Sequence, residues 1–589
     1  MRGIPSLITD IRKKVFAEVA RMAYSGDYTQ MEDIPYHIVP GDSPLHRESV
    51  FLERAIAGER VRLAMGLSLR PVQTRTLLTE GMDHAAIAEQ YYEPPLVNII
   101  PYACHACPTK RYQVTDLCQG CLAASCQRVC PKGAVQFVNG KSMIDETACI
   151  KCGKCAASCP YHAITFIERP CQAACGMDAI GVDENGKARI DYERCVSCGQ
   201  CIAVCPTGAL AEKDFTQEVF AALADPSKHV IVQTAPAVRA ALGEMFGMPI
   251  GTDSEGKMVA ALRRLGFDQV YDTNFSADLT IMEEANELIE RIQNGGKLPM
   301  ITSCSPGWVK YCEHYFPELV DNLSSCKSPQ QMFGAIAKSY YAEKNGIDPA
   351  DIVVVSVMPC TAKKFEIGRP DEDANGVPDV DISITTRELG RMIERAGIQF
   401  NMLPDEKFDE PLGIYTGAGA IFGATGGVME AALRTAVETL TGEELPDVDF
   451  VDVRGTAGIK EKSYSVAGMN IKVAVASGLA NAKKLLKSIE SGEADYQFVE
   501  IMACPGGCVN GGGQPQQPGY IRNTVDIRAK RAAVLYDIDR NAPIRKSHEN
   551  PAIKALYAEY LGKPGSEKAH HLLHTTYVKR GIVDDPRKK

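Results

Sequence analysis

Residues 149–160 read CIKCGKCAASCP and residues 195–206 read CVSCGQCIAVCP. Each is a Cys-x2-Cys-x2-Cys-x3-Cys-Pro run, made of Cys149, Cys152, Cys155 and Cys159, then of Cys195, Cys198, Cys201 and Cys205. In such a run three close thiolates hold one [4Fe–4S] cube and the fourth reaches a neighbouring cube. A third run, Cys118-x2-Cys121-x4-Cys126-x3-Cys130-Pro131, is the same motif with two extra residues. Cys104-x2-Cys107 resembles the front of a run, and Cys171-x3-Cys175 its back. The gaps from Cys130 to Cys149 and from Cys175 to Cys195 are 19 and 20 positions, which predicts two ferredoxin-like units, one inserted into the other. The inner unit is expected to hold Cys118, Cys121, Cys126 and Cys159 on one cube, and Cys149, Cys152, Cys155 and Cys130 on the next. The outer unit is expected to hold Cys104, Cys107, Cys171 and Cys205, then Cys195, Cys198, Cys201 and Cys175. Sixteen thiolates at four per cube give four cubes with none left over.

Other uses of these cysteines fit less well. The chain has 22 cysteines, an even count that would suit a disulfide scaffold. Such scaffolds are short and secreted, however, whereas this chain has 589 residues and opens MRGIPSLITDIRKKVF, without the apolar segment of a signal peptide. Structural zinc uses separated Cys-x2-Cys pairs that close one tetrahedral site, not three-and-one runs. No window approaches the ~20 apolar residues of a membrane span. A net charge of −10 without a basic block argues against nucleic acid as a partner. These readings predict a cytoplasmic protein of several domains. Between the cysteine runs, AVQFVNGKSMID and AIGVDENGKARID (134–145 and 179–191) predict β-hairpins with Asn-Gly turns.

An electron carrier does not need the roughly 380 residues that follow the runs. Over 213–525 the pattern becomes α/β. HVIVQTA (229–235), IVVVSVMPC (352–360) and IKVAVASG (471–478) read as buried strands, and LTIMEEANELIERIQN (279–294) and TRELGRMIERAG (386–397) as helices. Three segments place cysteine in Gly- and Pro-rich turns after strands: TSCSPGW (302–308), MPCTAKKFE (358–366) and EIMACPGGCVNGGGQP (500–515). Glycines 506, 507, 511, 512 and 513 are expected to let the backbone approach a bulky inorganic group. Glu284, Glu287 and Arg291 share one helix face, either solvated or buried for a reason. The glycines of 417–423 look like a nucleotide loop, but no acidic residue follows in the expected context. Residues 1–100 carry amphipathic helical patterns and no chemistry, as a docking module or a cap over the wire. The histidines at 570, 571 and 574 are expected in surface or interface roles.

The three cysteine segments resemble, in order and separation, the signature motifs of the [FeFe]-hydrogenases, and the resemblance runs from about residue 100 to residue 580. The family resemblance implies a multidomain α/β and α+β chain. It would have an N-terminal helical region over 1–100, two interleaved ferredoxin-like units over 101–212 and an α/β H-cluster domain over 213–525. A belt like the family's small subunit would follow over 526–589. The H-cluster is a [4Fe–4S] cube joined to a diiron site that carries CO, cyanide and a bridging dithiolate amine. By resemblance Cys360, Cys504 and Cys508 ligate the cube, with Cys508 bridging, and Lys363 donates to a cyanide. Ala235, Pro236, Met358, Phe422 and Met502 line the diiron pocket. Arg291, Glu287, Ser324 and Glu284 match a proton relay ending at Cys304. The implied reaction is reversible reduction of protons to H2 with electrons from a ferredoxin or similar small redox protein, after loading of the cofactor by maturation enzymes. An H2-sensing protein with the same cofactor and slow turnover is the alternative.

One departure matters. The family's first motif has two adjacent cysteines, whereas this chain has Cys304-Ser305. A thiolate is a far better soft ligand for iron than an alkoxide. Ser305 ligating the cube, Cys304 moving in to ligate it, and Cys312 or Cys326 substituting are the open outcomes.

Overall fold

The computed structural model describes residues 7–25, 27–71, 73–82 and 95–580. Residues 1–6 of the opening stretch, 83–94 of the N-terminal region and 581–589 of the expected belt lie outside them. In the helix Leu7–Ser25, Val15, Val19 and Met22 lie on one face and are buried against the helix Val50–Ala64. The second helix then sets Ile56 and Leu63 on Ile100, Ala103 and Ala209, beside Cys104 and Cys205. This region caps one end of the wire. Among the described residues no helix is long and apolar enough to cross a membrane.

Strand pairing shows the nesting directly. β1 (Val97–Ile99) pairs antiparallel with β8 (Leu210–Glu212), and between them β2 (Arg111–Val114) pairs with β5 (Ile164–Ile167). Each pair encloses a hairpin: β3 (Val135–Val138) with β4 (Lys141–Ile144) inside, and β6 (Ile180–Val182) with β7 (Ala188–Ile190) outside. The outer unit thus begins at β1, ahead of the expected boundary at 101. The first hairpin turns at Asn139 and Gly140, both at positive φ. The second differs from expectation. Only Gly186 of its Asn-Gly pair is left-handed, and the Asp183 carboxylate accepts the Asn185 and Lys187 N–H groups, which makes a longer loop.

The α/β region contains two four-stranded sheets. The first is parallel throughout, in the order β10 (Gln269–Asp272), β9 (His229–Thr234), β12 (Ile352–Met358), β13 (Ile382–Thr385). The second runs β11 (Met300–Ile301), β16 (Phe498–Met502), β15 (Met469–Ser477), β14 (Ile459–Val466), with only β14 antiparallel. Both faces of each sheet are covered, which explains the unbroken apolar runs. In the first sheet Val230, Val232, Val355 and Val357 pack one way. Ile231 and Val354 pack the other way, onto Phe275, Leu279 and the C-terminal residues Ile553, Leu556 and Leu573. The tail is therefore a belt built into the core. β9, β12, β11 and β16 all end where the expected site residues begin, and ligands bind beyond such carboxyl ends.

The helix Thr273–Gln293, which carries Glu284, Glu287 and Arg291, starts at a buried ion pair. Asp272 accepts the Asn274 N–H at 2.9 Å, and both its oxygens accept from Arg239 Nη2 at 2.8 Å, with both side chains fully buried. Arg239→Leu strands that carboxylate and should destabilise the α/β region by about 3–5 kcal/mol. A lowered unfolding midpoint, partly recovered when Asp272→Asn is added, is the expected measurement.

Candidate functional site

The four Cys-x2-Cys loops share one backbone device. The residue before the second cysteine is left-handed in each: Ala106, Gly120, Lys151 and Ser197, at φ of 48°, 58°, 59° and 56°. Three residues after the last cysteine of each run the pattern recurs at Gly133, His162, Asp178 and Gly208. Left-handed residues turn successive N–H groups inward, into a concavity suited to anionic sulfur. Backbone N–H groups of Ser142, Ala134, Lys151, Ala179 and Ala188 donate to Cys118, Cys130, Cys149, Cys175 and Cys104 at 3.3–3.4 Å.

Neighbouring thiols identify which cysteines share a space. Burial pushes Cys171 up to about 11, helped by Cys205 and Cys104. Burial, then Cys149 and Cys130, raises Cys155. Burial, then Cys198, Cys195 and Cys175, raises Cys201. Cys118 accepts the Ser142 N–H, and the Ser142 hydroxyl lies 3.1 Å from Cys126.

The wire abuts the strand-end turns of the α/β region. Gln200 Nε2 donates to Cys504 Sγ at 3.5 Å and to the Asn510 carbonyl at 2.9 Å. Lys310 donates to the Cys195 carbonyl at 2.8 Å and Thr361 to the Ser197 carbonyl. The glycines here also allow close approach between loops. A Cβ on Gly512 would meet the Cys198 carbonyl at 1.9 Å, and one on Gly511 the Pro359 carbonyl at 2.1 Å. A Cβ on Gly507 would meet the Thr425 nitrogen at 2.6 Å. Their immediate role is to let three loops close on one another. The glycine-rich 417–423 segment is likewise a helix-packing feature, with Gly417 against Asp539 and Gly419 against Asn274.

Cys360, Cys504 and Cys508 come together from two strand ends. Burial raises Cys504, aided by Cys360 and Cys508, and burial and Cys360 push Cys508 up to about 12. Gathered at one place, the three buried cysteines are, as thiolates, a soft donor set for iron. The residues fit the group that the motifs imply. Lys363 faces Cys360 and Cys508, and its Nζ donates to Glu366 at 2.7 Å. Glu366 also accepts from Ser328 and Gln330. Ala235 and Pro236 follow β9, Met358 closes β12 and Met502 closes β16. Phe422 packs with Met502 in one core cluster, and all five are buried.

Cys304 and Ser305 point different ways. The Ala503 N–H donates to Ser305 Oγ at 3.3 Å, which sets the hydroxyl beside the Cys504 turn. Burial raises the Cys304 thiol, and Glu284 and Cys508 raise it further. Cys304 thus stands between the helix Thr273–Gln293 and Cys508. Cys312 and Cys326 stand elsewhere. Cys312 donates to the Phe316 carbonyl in a separate core cluster, and Cys326 lies beside Glu287.

Glu284 is buried, and Glu287 and Arg291 are half-buried. Arg291 Nη2 donates to Glu287 Oε1 at 2.5 Å, and Ser324 Oγ to Glu287 Oε2 at 2.9 Å. Ser324 lies close to Glu284, whose buried Oε2 has no hydrogen-bond partner among the described residues. Burial, then the Glu287 charge, pushes Glu284 up to about 8. Glu500 escaped the sequence reading, although a lone charge within the apolar FVEIM was the signal. Its carboxylate accepts the Gly426 and Met429 N–H groups at 2.6 and 2.8 Å and holds the loop on which Gly507 rests.

Comparison with known proteins finds relatives over most of the chain. Residues 228–512 match "Iron only hydrogenase large subunit, C-terminal domain" and residues 525–580 "Iron hydrogenase small subunit". Residues 117–164 and 148–209 match 4Fe-4S dicluster domains. Iron hydrogenase 1 of Clostridium pasteurianum is 49% identical over 452 residues, 76% of this chain and 78% of that protein. The NADP-reducing hydrogenase subunit HndD of Solidesulfovibrio fructosivorans is 57% identical over 380 residues, covering 64% of each chain. A solved apo [FeFe]-hydrogenase variant from Chlamydomonas reinhardtii aligns with a TM-score of 0.56 at 46% identity, over 62% of this chain and 99% of that one. With two strand-end cysteine turns, a buried carboxylate line and a sequence match over three quarters of its length, the chain belongs to the iron-only hydrogenase family.

Proposed function

We propose that the protein catalyses 2H⁺ + 2e⁻ ⇌ H2 at an H-cluster held by Cys360, Cys504 and Cys508. The observation that carries this reading is the meeting of those buried thiols with the line Arg291, Glu287, Ser324, Glu284 and Cys304. When bound, the cofactor with its CO, cyanide and dithiolate amine ligands supplies the metal chemistry, and the protein supplies position and electrostatics. Lys363 presents an ammonium to an anionic ligand, while Glu366 fixes its direction. Ala235, Pro236, Met358, Phe422 and Met502 keep the pocket apolar. Glu284 holds a proton at neutral pH because its buried carboxylate disfavours charge. Its free Oε2 can pass that proton to Cys304, the last group of the line. Ser324 then returns a proton from Glu287, which Arg291 keeps in place.

Electrons reach the site along four cubes, assigned as Cys118/Cys121/Cys126/Cys159, Cys149/Cys152/Cys155/Cys130, Cys104/Cys107/Cys171/Cys205 and Cys195/Cys198/Cys201/Cys175. The shared thiol environments and the four-fold left-handed pattern support this partition. Cys198 faces Cys504, which adds to burial in raising its thiol. An external ferredoxin-like protein supplies the electrons, and separate maturation enzymes load the cofactor. The unit boundaries follow as 101–212, with β1 added, 213–525 and 526–589. A reducing cytoplasm suits 22 cysteines that form no disulfide.

Infrared absorption of anaerobically matured protein tests the cofactor assignment. Bands near ~2000 cm⁻¹, where only the diatomic ligands absorb, should accompany H2 evolution from a reduced low-potential donor. Cluster-loaded protein without these bands would refute the reading.

A further inference from the structure

A buried cysteine alone is ordinary packing, but Cys326 has unusual company. Its Sγ lies 3.8 Å from Glu287 Oε2, the carboxylate oxygen that Ser324 also holds. His574, from the C-terminal belt, pairs with Cys326 across an isolated β-bridge. One ligand atom each from Glu287, Cys326 and His574 lie within 4.8 Å of one another. The imidazole is already aimed. Its Nε2 stands 3.2 Å from Glu283 Oε2, and Glu283 is itself held by Tyr557 Oη and the Gly565 N–H. Its Nδ1 stands 2.8 Å from Ser325 Oγ, and the Ser325 N–H donates to Glu287 at 3.0 Å. Carboxylate support on one imidazole nitrogen is the second shell of a transition-metal site, and the other nitrogen, now on the Ser325 hydroxyl, is free to ligate once that hydroxyl is displaced.

We propose that Glu287, Cys326 and His574 form a site for a divalent cation of the zinc class, with solvent as fourth ligand. In a tetrahedral site with bonds of about 2.0–2.3 Å the ligand atoms stand roughly 3.3–3.7 Å apart, so the cluster needs only a small contraction. Cysteine sulfur, imidazole and carboxylate together select zinc over calcium or magnesium. Binding releases the Cys326 proton to solvent, as thiolate ligation requires. Access runs along Arg291 and Glu287, which keep 15% and 14% of their side-chain surface exposed. A cation on Glu287 Oε2 displaces the Ser324 hydroxyl and leaves Arg291 on Oε1. On the proposed relay, which this consequence rests on, zinc is then an inhibitor of proton transfer that leaves the iron centres untouched.

Equilibrium dialysis of cluster-loaded protein with zinc alone, followed by zinc X-ray absorption and H2 assays, tests both parts. Wild type should bind one tight equivalent with one sulfur neighbour at about 2.3 Å. Cys326→Ala and His574→Gln should lose it at unchanged iron content, and Glu283→Gln should bind about 10–100-fold more weakly. Saturating zinc should slow wild-type turnover at least tenfold and leave Cys326→Ala unaffected. Equal zinc binding by wild type and both ligand variants, or a zinc shell without sulfur, overturns the site. Binding through Cys326 without loss of turnover upholds the site and removes Glu287 from the relay.

Discussion

Glu284→Gln is expected to lower H2 turnover by about 10²–10⁴-fold, the range that one positioned proton-transfer group contributes, while the iron–sulfur signals stay unchanged. The amide preserves shape but cannot take up and release a proton near neutral pH as the carboxyl does. The wild-type carboxyl, pushed up to about 8 by burial and Glu287, is protonated below that pH and charged above it. Proton reduction should therefore fall as pH rises through an apparent pKa near 8. The value belongs to the coupled Glu284 and Glu287 pair. Glu287→Gln, next to Arg291 and less deeply buried, should cost less and move that midpoint. Measured turnover against pH, beside the EPR of the reduced clusters, separates this from structural damage. A Glu284→Gln protein with wild-type turnover would remove the residue from the path.

Features set by local sequence were the legible ones. Cysteine spacing revealed the four-fold pattern because each loop needs its own left-handed turn, and the apolar runs at 229–234 and 352–358 were strands because parallel sheets bury both faces. What stayed hidden depends on distant pairing. His574 meets Ser325 across 249 positions, and nothing near either residue announces the other. Glycine density around 511–513 was visible, but the loop closure it permits was not, since the Cys198 carbonyl that Gly512 clears lies far back in the chain. The Asn185-Gly186 pair misled for a smaller reason: the Asp183 carboxylate captures two N–H groups and stretches the turn.

Ser305→Cys is expected to add a sulfur neighbour to the H-cluster cube, to raise the cube's potential by at least ~60 mV, a tenfold change for a one-electron couple, and to increase turnover. The structure places the hydroxyl against the Ala503 N–H and the Cys504 turn, while the Cys304 thiol faces Glu284. On the proposed function the cube corner and the relay end would then be different side chains. An alkoxide at the corner is a poor, strongly basic ligand, since its parent hydroxyl resists deprotonation, so the natural cube should sit at low potential. A cysteine introduced there is already aimed. Cys304→Ala makes the converse case: turnover should drop at least ~10²-fold with the cube intact by EPR, because only the terminal proton carrier is lost. If Cys304→Ala instead destroys the cube and Ser305→Cys restores it, Cys304 is the natural ligand. The protein would then have given up its thiol relay for a fourth thiolate, and its turnover would be set by whatever replaces that proton at the pocket wall.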